Sequence, residues 1–302
     1  MLLNRYWCFL LILSTLTSHS QQVLRIISND VGLVSYNIGN TNKMSSGTGT
    51  LILKMNDTTT GSVFLITNRH VLPLKNENDS IHFQIKKSSG VLNSYVDIAI
   101  PIFDTMGALS ETVKFDPDTN DLAVINITDI YIQKGLRYLD SSLIPYTLLA
   151  TKEIIVNNDI GIGDEILFVG YPSLFYDKRN FSPLMRSGII ASSPIDDYYF
   201  NDLYRMNYYV KSKEVLPEKL KGFLIDGSVL HGSSGSLVFL KPQAFKLRNG
   251  AVNMGQGGTP YILGVLTNTY FDISSNSGER ANIGGVISSE QVKKTIDLFK
   301  YK

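Results

Sequence analysis

The sequence predicts an all-β fold that ends in a helix, and three observations carry that expectation. Short apolar runs alternate with clusters of Gly, Asn, Asp and Ser along most of the chain. No helical periodicity comes between them, which favours a sandwich or barrel. Only near the end does the spacing change: Val292, Ile296 and Phe299 recur at i, i+4 and i+7, one face of a helix.

Taken in order, residues 1–20 read as a signal peptide. Arg5 supplies the positive charge, 6–13 form a short apolar stretch, and Ser18-His19-Ser20 offers small residues before a cut at Gln21. The stretch is too short to span a bilayer comfortably, so removal rather than stable membrane insertion is expected. Cys8, the only cysteine, lies inside it. The mature chain then has no disulfide, which an exported protein permits. This argues against disulfide-stapled animal enzymes and favours a bacterial periplasmic or secreted protein.

Segments 23–27, 50–53, 63–67, 81–85 and 122–127 read as a first series of strands. Segments 165–170, 186–191, 207–210, 236–240, 261–266 and 283–287 form a second. The weakly patterned stretch 134–152 reads as a linker. Two stretches, 171–180 and 194–220, mix Pro, Asp and tyrosines (Tyr198, Tyr199, Tyr204, Tyr208, Tyr209). They read as surface loops plus one strand, or as an aromatic wall beside a peptide groove. Ser288 followed by Gln291 resembles a capping box, opening a C-terminal helix over 289–300.

Composition excludes several functions. With 302 residues and 43% hydrophobic content the chain can bury a sizeable core. Its net charge is +1 and no Lys/Arg run appears, so a footprint for nucleic acid is missing. No His, Cys and acidic cluster has metal-ligand spacing. Gly161-Ile162-Gly163 lacks the third glycine of a dinucleotide loop and leads into a strand. No cofactor or metal is expected.

Three features can carry chemistry. His70 ends the apolar run Val63-Phe64-Leu65-Ile66-Thr67-Asn68-Arg69. A histidine where a buried strand emerges is held rigidly yet can reach a cleft, although a structural role fits that feature equally well. His19 leaves with the signal peptide, and His82 sits on the polar face of an alternating strand, which leaves His231 as the other candidate. The second feature is Gly232-Ser233-Ser234-Gly235-Ser236. Its glycines let the chain turn tightly and expose a hydroxyl, and they let backbone N–H groups converge on an oxyanion. A plain Gly/Ser hairpin turn would look the same. The third is Asp121, which leads directly into the apolar Leu122-Ala123-Val124-Ile125. A partly buried carboxylate needs hydrogen-bond partners, and an imidazole N–H is one.

Together they run His, Asp, Ser, each at a strand edge, the order of trypsin-like peptidases rather than of subtilisins or α/β-hydrolases. The sequence resembles a trypsin-like (chymotrypsin-fold) serine peptidase, similar to the bacterial protease domain of the HtrA (DegP) family without a PDZ domain. Ser46-Gly47-Thr48-Gly49-Thr50-Leu51-Ile52 resembles that family's early Gly-rich strand. Leu65 to Leu72 is similar to its histidine segment, Asp121-Leu122-Ala123-Val124 to its aspartate segment, and Gly232 to Ser236 to its nucleophile segment. Gly163-Asp164, Val169-Gly170-Tyr171-Pro172, Gly188-Ile189-Ile190 and Leu263-Gly264-Val265 fall where second-barrel strands are expected.

The resemblance implies two six-stranded antiparallel β-barrels, over 21–145 and 146–302, with a C-terminal α-helix, together one peptidase domain. It implies Ser234 as nucleophile, His70 as general base and Asp121 as its orienting acid. It also implies an oxyanion hole from the N–H groups of Gly232 and Ser234, and a substrate pocket drawn from Ser228, His231, Thr267 and Asn268. The expected partners are protein or peptide substrates. Two departures matter. Ser233 stands where digestive relatives carry an aspartate that pairs with a newly cut N-terminus, so no zymogen switch of that kind is expected. Ser228 stands where a pocket-base charge is common, which suggests a preference for uncharged residues at the cleavage site. A catalytically silent binding protein on the same scaffold, and an esterase using the same triad, are the competing readings.

Overall fold

The computed structural model describes residues 29–38, 44–73, 80–86, 95–118, 121–136, 143–243, 245–248, 251–254, 258–272 and 280–299. The expected signal segment and the strand at 23–27 lie outside these residues. The first half contributes β1 (Val31–Asn37), β2 (Met44–Met55), β3 (Gly61–Thr67), β4 (Ser80–Lys86), β5 (Tyr95–Pro101), β6 (Val113–Phe115), β7 (Ala123–Asn126) and β8 (Ile144–Pro145). They form an eight-stranded sheet in the order β5-β4-β1-β2-β3-β7-β6, with β8 added in parallel to β2. The second half contributes β9 (Glu165–Gly170), β10 (Leu184–Ile190), β11 (Tyr198–Tyr199), β12 (Lys219–Leu220), β13 (Gly222–Gly227), β14 (Leu237–Leu240), β15 (Phe245–Arg248), β16 (Ala251–Met254), β17 (Ile262–Phe271) and β18 (Arg280–Ser288). Six of these close a barrel in the order β10-β13-β18-β17-β14-β9.

One half thus matches the expected six-stranded barrel. The other departs from it: among the described residues β5 and β6 end the sheet without pairing with one another, so the first half is an open, eight-stranded half-barrel.

The apolar runs are continuous because several strands are buried on both faces. Along β3, Val63 and Leu65 point into the core of the first half, while Phe64 and Ile66 point the other way. Along β14, Val238 and Leu240 fill the closed barrel, while Leu237 and Phe239 turn outward to meet Phe64 and Ile66 in a shared cluster. That cluster joins the halves. The C-terminal helix Ser289–Ile296 adds Val292 and Ile296 to it, and Phe299 follows with its ring 5.2 Å from that of Phe64. The i, i+4, i+7 stripe is therefore what glues the helix across both halves.

Three expectations need correction. The stretch 207–210 is not a strand but part of the helix Asp202–Ser212. Tyr, Tyr and Val favour strands, yet Asn201 caps the segment by accepting the Leu203 N–H at 2.9 Å, and Lys213 ends it in the left-handed conformation (φ 63°). The capping box at Ser288 is not formed, since Ser288 is the N-cap but makes no side-chain cap bond. The expected linker at 134–152 carries β8 and a 3-10 turn at Tyr146–Leu148.

Candidate active site

The register of β3 on β7 puts a histidine beside a carboxylate. Thr67 pairs with Ala123, so two residues further along each strand Arg69 faces Asp121. The chain there turns into a 3-10 helix, Arg69–Val71, that carries His70. Two hydrogen bonds fix the corner, from Arg69 N–H (3.2 Å) and Asn68 Nδ2 (2.9 Å) to the Asp121 carbonyl. The imidazole Nδ1 then lies 2.8 Å from Asp121 Oδ1, and the His70 backbone N–H donates to the same oxygen at 3.2 Å. The second oxygen, Oδ2, accepts the hydroxyl of Thr267. Both oxygens thus face donors, which suits a carboxylate held partly out of water.

Ser234 arrives from the other half. It sits in the turn between β13 and β14, tied to β17 by Gly235 N–H to the Leu266 carbonyl (2.9 Å). The Ser234 hydroxyl donates to the Thr267 carbonyl at 3.0 Å. Thr267 therefore touches both groups, its hydroxyl on Asp121 and its carbonyl on Ser234. The turn also crosses to the first half: Thr48 N–H donates to the Ser234 carbonyl (2.8 Å), and Thr48 Oγ1 to the Gly232 carbonyl (2.9 Å). Gly235 is required here. Its φ is +90°, and a Cβ would lie 1.9 Å from the Thr48 carbonyl oxygen.

Anchored carbonyls set the direction of two amides. The His231 carbonyl accepts the Ser173 N–H at 2.5 Å, and the Ser233 carbonyl accepts the Ser236 N–H at 3.0 Å. In a trans peptide the C=O and the following N–H point opposite ways. Gly232 N–H and Ser234 N–H are consequently aimed away from those anchors, and neither has a backbone acceptor among the described residues. Gly232 adopts φ +78°, a conformation that suits glycine.

His70, Asp121, Ser234, His231, Thr267 and Asn268 line one cleft of about 450 Å³, with Tyr208, Glu214, Val229, Leu230 and Thr269 completing its walls. Ser228 is not among the lining residues; its carbonyl accepts from Arg186 at 2.5 Å. His82 is elsewhere, paired with Asp97 at 3.0 Å. Of the tyrosines expected to form an aromatic wall, Tyr208 alone lines this cleft. It lies on the helix Asp202–Ser212, and burial pushes its phenol up to about 12, so it stays neutral. Its hydroxyl faces Glu214 at 3.4 Å, a lining residue that no sequence motif marked. The remaining tyrosines divide: Tyr198 and Tyr204 pack with Phe200, which meets Tyr270, whereas Tyr199 and Tyr209 are exposed. No group of three or more His, Cys, Asp or Glu side chains among the described residues is arranged to hold a metal ion. No helix among them is long and apolar enough to cross a membrane.

No family model and no curated protein matches the chain. Solved structures do. The active form of the Rv3671c protease from M. tuberculosis is similar at 15% identity and a TM-score of 0.46, over 91% of this chain and 82% of that one. Its inactive form is similar at 14% identity and a TM-score of 0.47, over 92% and 93%. The serine endoprotease from Yersinia pestis is similar at 16% identity and a TM-score of 0.46, over 92% of this chain and 65% of that longer one.

Proposed function

We propose that this chain is a trypsin-like serine endopeptidase built on a double barrel whose first half is open. The observation that carries the reading is the Nδ1 to Asp121 contact at 2.8 Å in the cleft that Ser234 also lines. With Nδ1 bound to the carboxylate, Nε2 is left as the base that removes the Ser234 proton. Ser234 Oγ attacks the peptide carbonyl, and the N–H groups of Gly232 and Ser234 receive the oxyanion. His70 then returns the proton to the leaving amine, and water releases the acyl-enzyme by the same path. The resting bond from Ser234 to Thr267 must be exchanged for one to His70, a rotation about the serine Cα–Cβ bond.

We read the protein as exported, with residues 1–20 removed and protein or peptide chains as substrates. Ser233 leaves no carboxylate next to the nucleophile for a new N-terminus, so the processed chain needs no second activating cut. The second reading, a silent binding protein, draws on the same resting bond, since a hydroxyl held by Thr267 is not yet engaged by the base.

Hydrolysis of a casein-like substrate separates the readings. The purified chain cleaves it, and Ser234→Ala or His70→Ala lowers turnover by about four to six orders of magnitude with the fold intact, whereas His231→Ala does far less. An intact substrate beside rapid ester hydrolysis would make the protein an esterase. A greater loss in His231→Ala than in His70→Ala would show the wrong base was chosen.

A further inference from the structure

The loop that leads to Ser234 is spanned by one cation. Arg186 lies on β10, opposite Phe168 of β9, with its guanidinium 4.6 Å from the centre of that ring. The pairing of β10 with β13 ends at Gly188 and Gly227, so Arg186 sits just beyond the point where β13 leaves the barrel. From there its two terminal nitrogens reach both ends of the loop. Nη1 donates to the Ser228 carbonyl at 2.5 Å and Nη2 to the Ser233 hydroxyl at 2.6 Å. The same hydroxyl accepts the Leu230 N–H at 3.3 Å, while Ser233 N–H donates to the Leu230 carbonyl at 3.1 Å. Ser233 is fully buried and lies between Gly232 and Ser234.

This placement holds the guanidinium partly out of water. The Arg186 Nε is buried with no hydrogen-bond partner among the described residues, and burial lowers the guanidinium to about 10, which still leaves it charged at neutral pH. A cation held partly out of water is costly unless hydrogen bonds compensate it, and those of the Arg186 guanidinium all go to the loop, at Ser228 and Ser233. A planar fork can hold two acceptors at a fixed separation, which a lysine cannot.

We propose that Arg186 is a positioning residue that braces the segment 228–233, holding the Gly232 and Ser234 amides in the geometry that receives the oxyanion. The brace is supplied from β10, outside the segment that it holds. Its catalytic consequence rests on the peptidase reading; the brace itself does not. Amides displaced by a fraction of an ångström lose transition-state stabilisation while substrate binding persists, so the signature is a loss in kcat rather than a rise in KM.

The test compares the parent chain with Arg186→Ala and Arg186→Lys in two measurements. Amide hydrogen exchange over 228–236 reads the brace without catalysis. Exchange there should rise at least about tenfold in both variants, with the strands β14 and β17 unchanged. Hydrolysis of a peptide amide reads the consequence: kcat should fall about 10- to 100-fold in Arg186→Ala with KM within about threefold. Millimolar guanidinium should restore part of the loss. Arg186→Lys keeps charge and bulk, so it folds even where the alanine variant does not, and it should retain the kcat defect. Unchanged exchange in a folded lysine variant, or parental kcat in both, overturns the proposal. If the parent chain is inactive, the peptidase reading fails and exchange alone judges the brace.

Discussion

Asp121 Oδ1 accepts twice from one residue, His70, through the ring Nδ1 at 2.8 Å and through the backbone N–H at 3.2 Å. The carboxylate therefore fixes the ring and the backbone that carries it. Asp121→Asn keeps the shape but can offer its amide N–H where the ring needs an acceptor. The expected loss in kcat is on the order of 10⁴-fold, from the wrong tautomer. Steady-state kinetics on a peptide amide checks it, and a loss below tenfold would remove Asp121 from its assigned role.

Gly235 is held at φ +90° with the Thr48 carbonyl in the space of a side chain. Gly235→Ala must move the nucleophile turn away from β2, so the halves lose the bond from Thr48 N–H to Ser234. A loss of about 3 kcal/mol or more in unfolding free energy is expected, measured by urea denaturation. Parental stability would mean that this turn tolerates displacement.

Glu214 brings a carboxylate to the cleft wall from the segment after the helix Asp202–Ser212. The expectation of uncharged substrates rested on Ser228, which does not line this cleft. A carboxylate there favours a cationic or amide side chain instead. Cleavage-site profiling on a peptide library should show Glu214→Gln losing about tenfold in kcat/KM for Lys or Arg sites relative to neutral ones. An unchanged profile would place Glu214 outside the substrate's reach.

Asp57, in the turn joining β2 to β3, accepts from Thr60 Oγ1 (2.5 Å), Thr59 N (2.7 Å), Thr60 N (2.8 Å) and Thr59 Oγ1 (2.9 Å). These bonds, the Thr60 hydroxyl first, hold its carboxyl well below the usual range. A depressed folded value means that the stabilisation is present above the ordinary carboxylate range and is lost as pH falls below it. The melting temperature of the parent should therefore drop between about pH 5 and pH 2 more than that of Asp57→Asn. Equal drops would show that the turn adds nothing to acid stability.

Much of this was legible from residue order. The run at 63–67 is apolar throughout because β3 is covered on both faces, and Asp121 precedes another such strand that pairs with it. Turn glycines around Ser234 announced a conformation that other residues resist. What stayed hidden depended on partners distant in sequence. Arg186 reads as the polar residue of an ordinary strand until Ser228 and Ser233 fold above it. The stretch Asn207-Tyr208-Tyr209-Val210 has a strand-forming composition, and only the Asn201 cap and the burial of Tyr208 make it a helix. The open edge of the first sheet leaves no trace in local pattern, because closure depends on whether β5 and β6 meet.

Whether an oriented imidazole activates the Ser234 hydroxyl can be read by labelling the folded chain with a fluorophosphonate and mapping the modified residue by mass spectrometry. One adduct is expected, on Ser234, abolished in Ser234→Ala and suppressed in His70→Ala. A folded protein that takes no label, or takes it on another residue, contradicts the assignment.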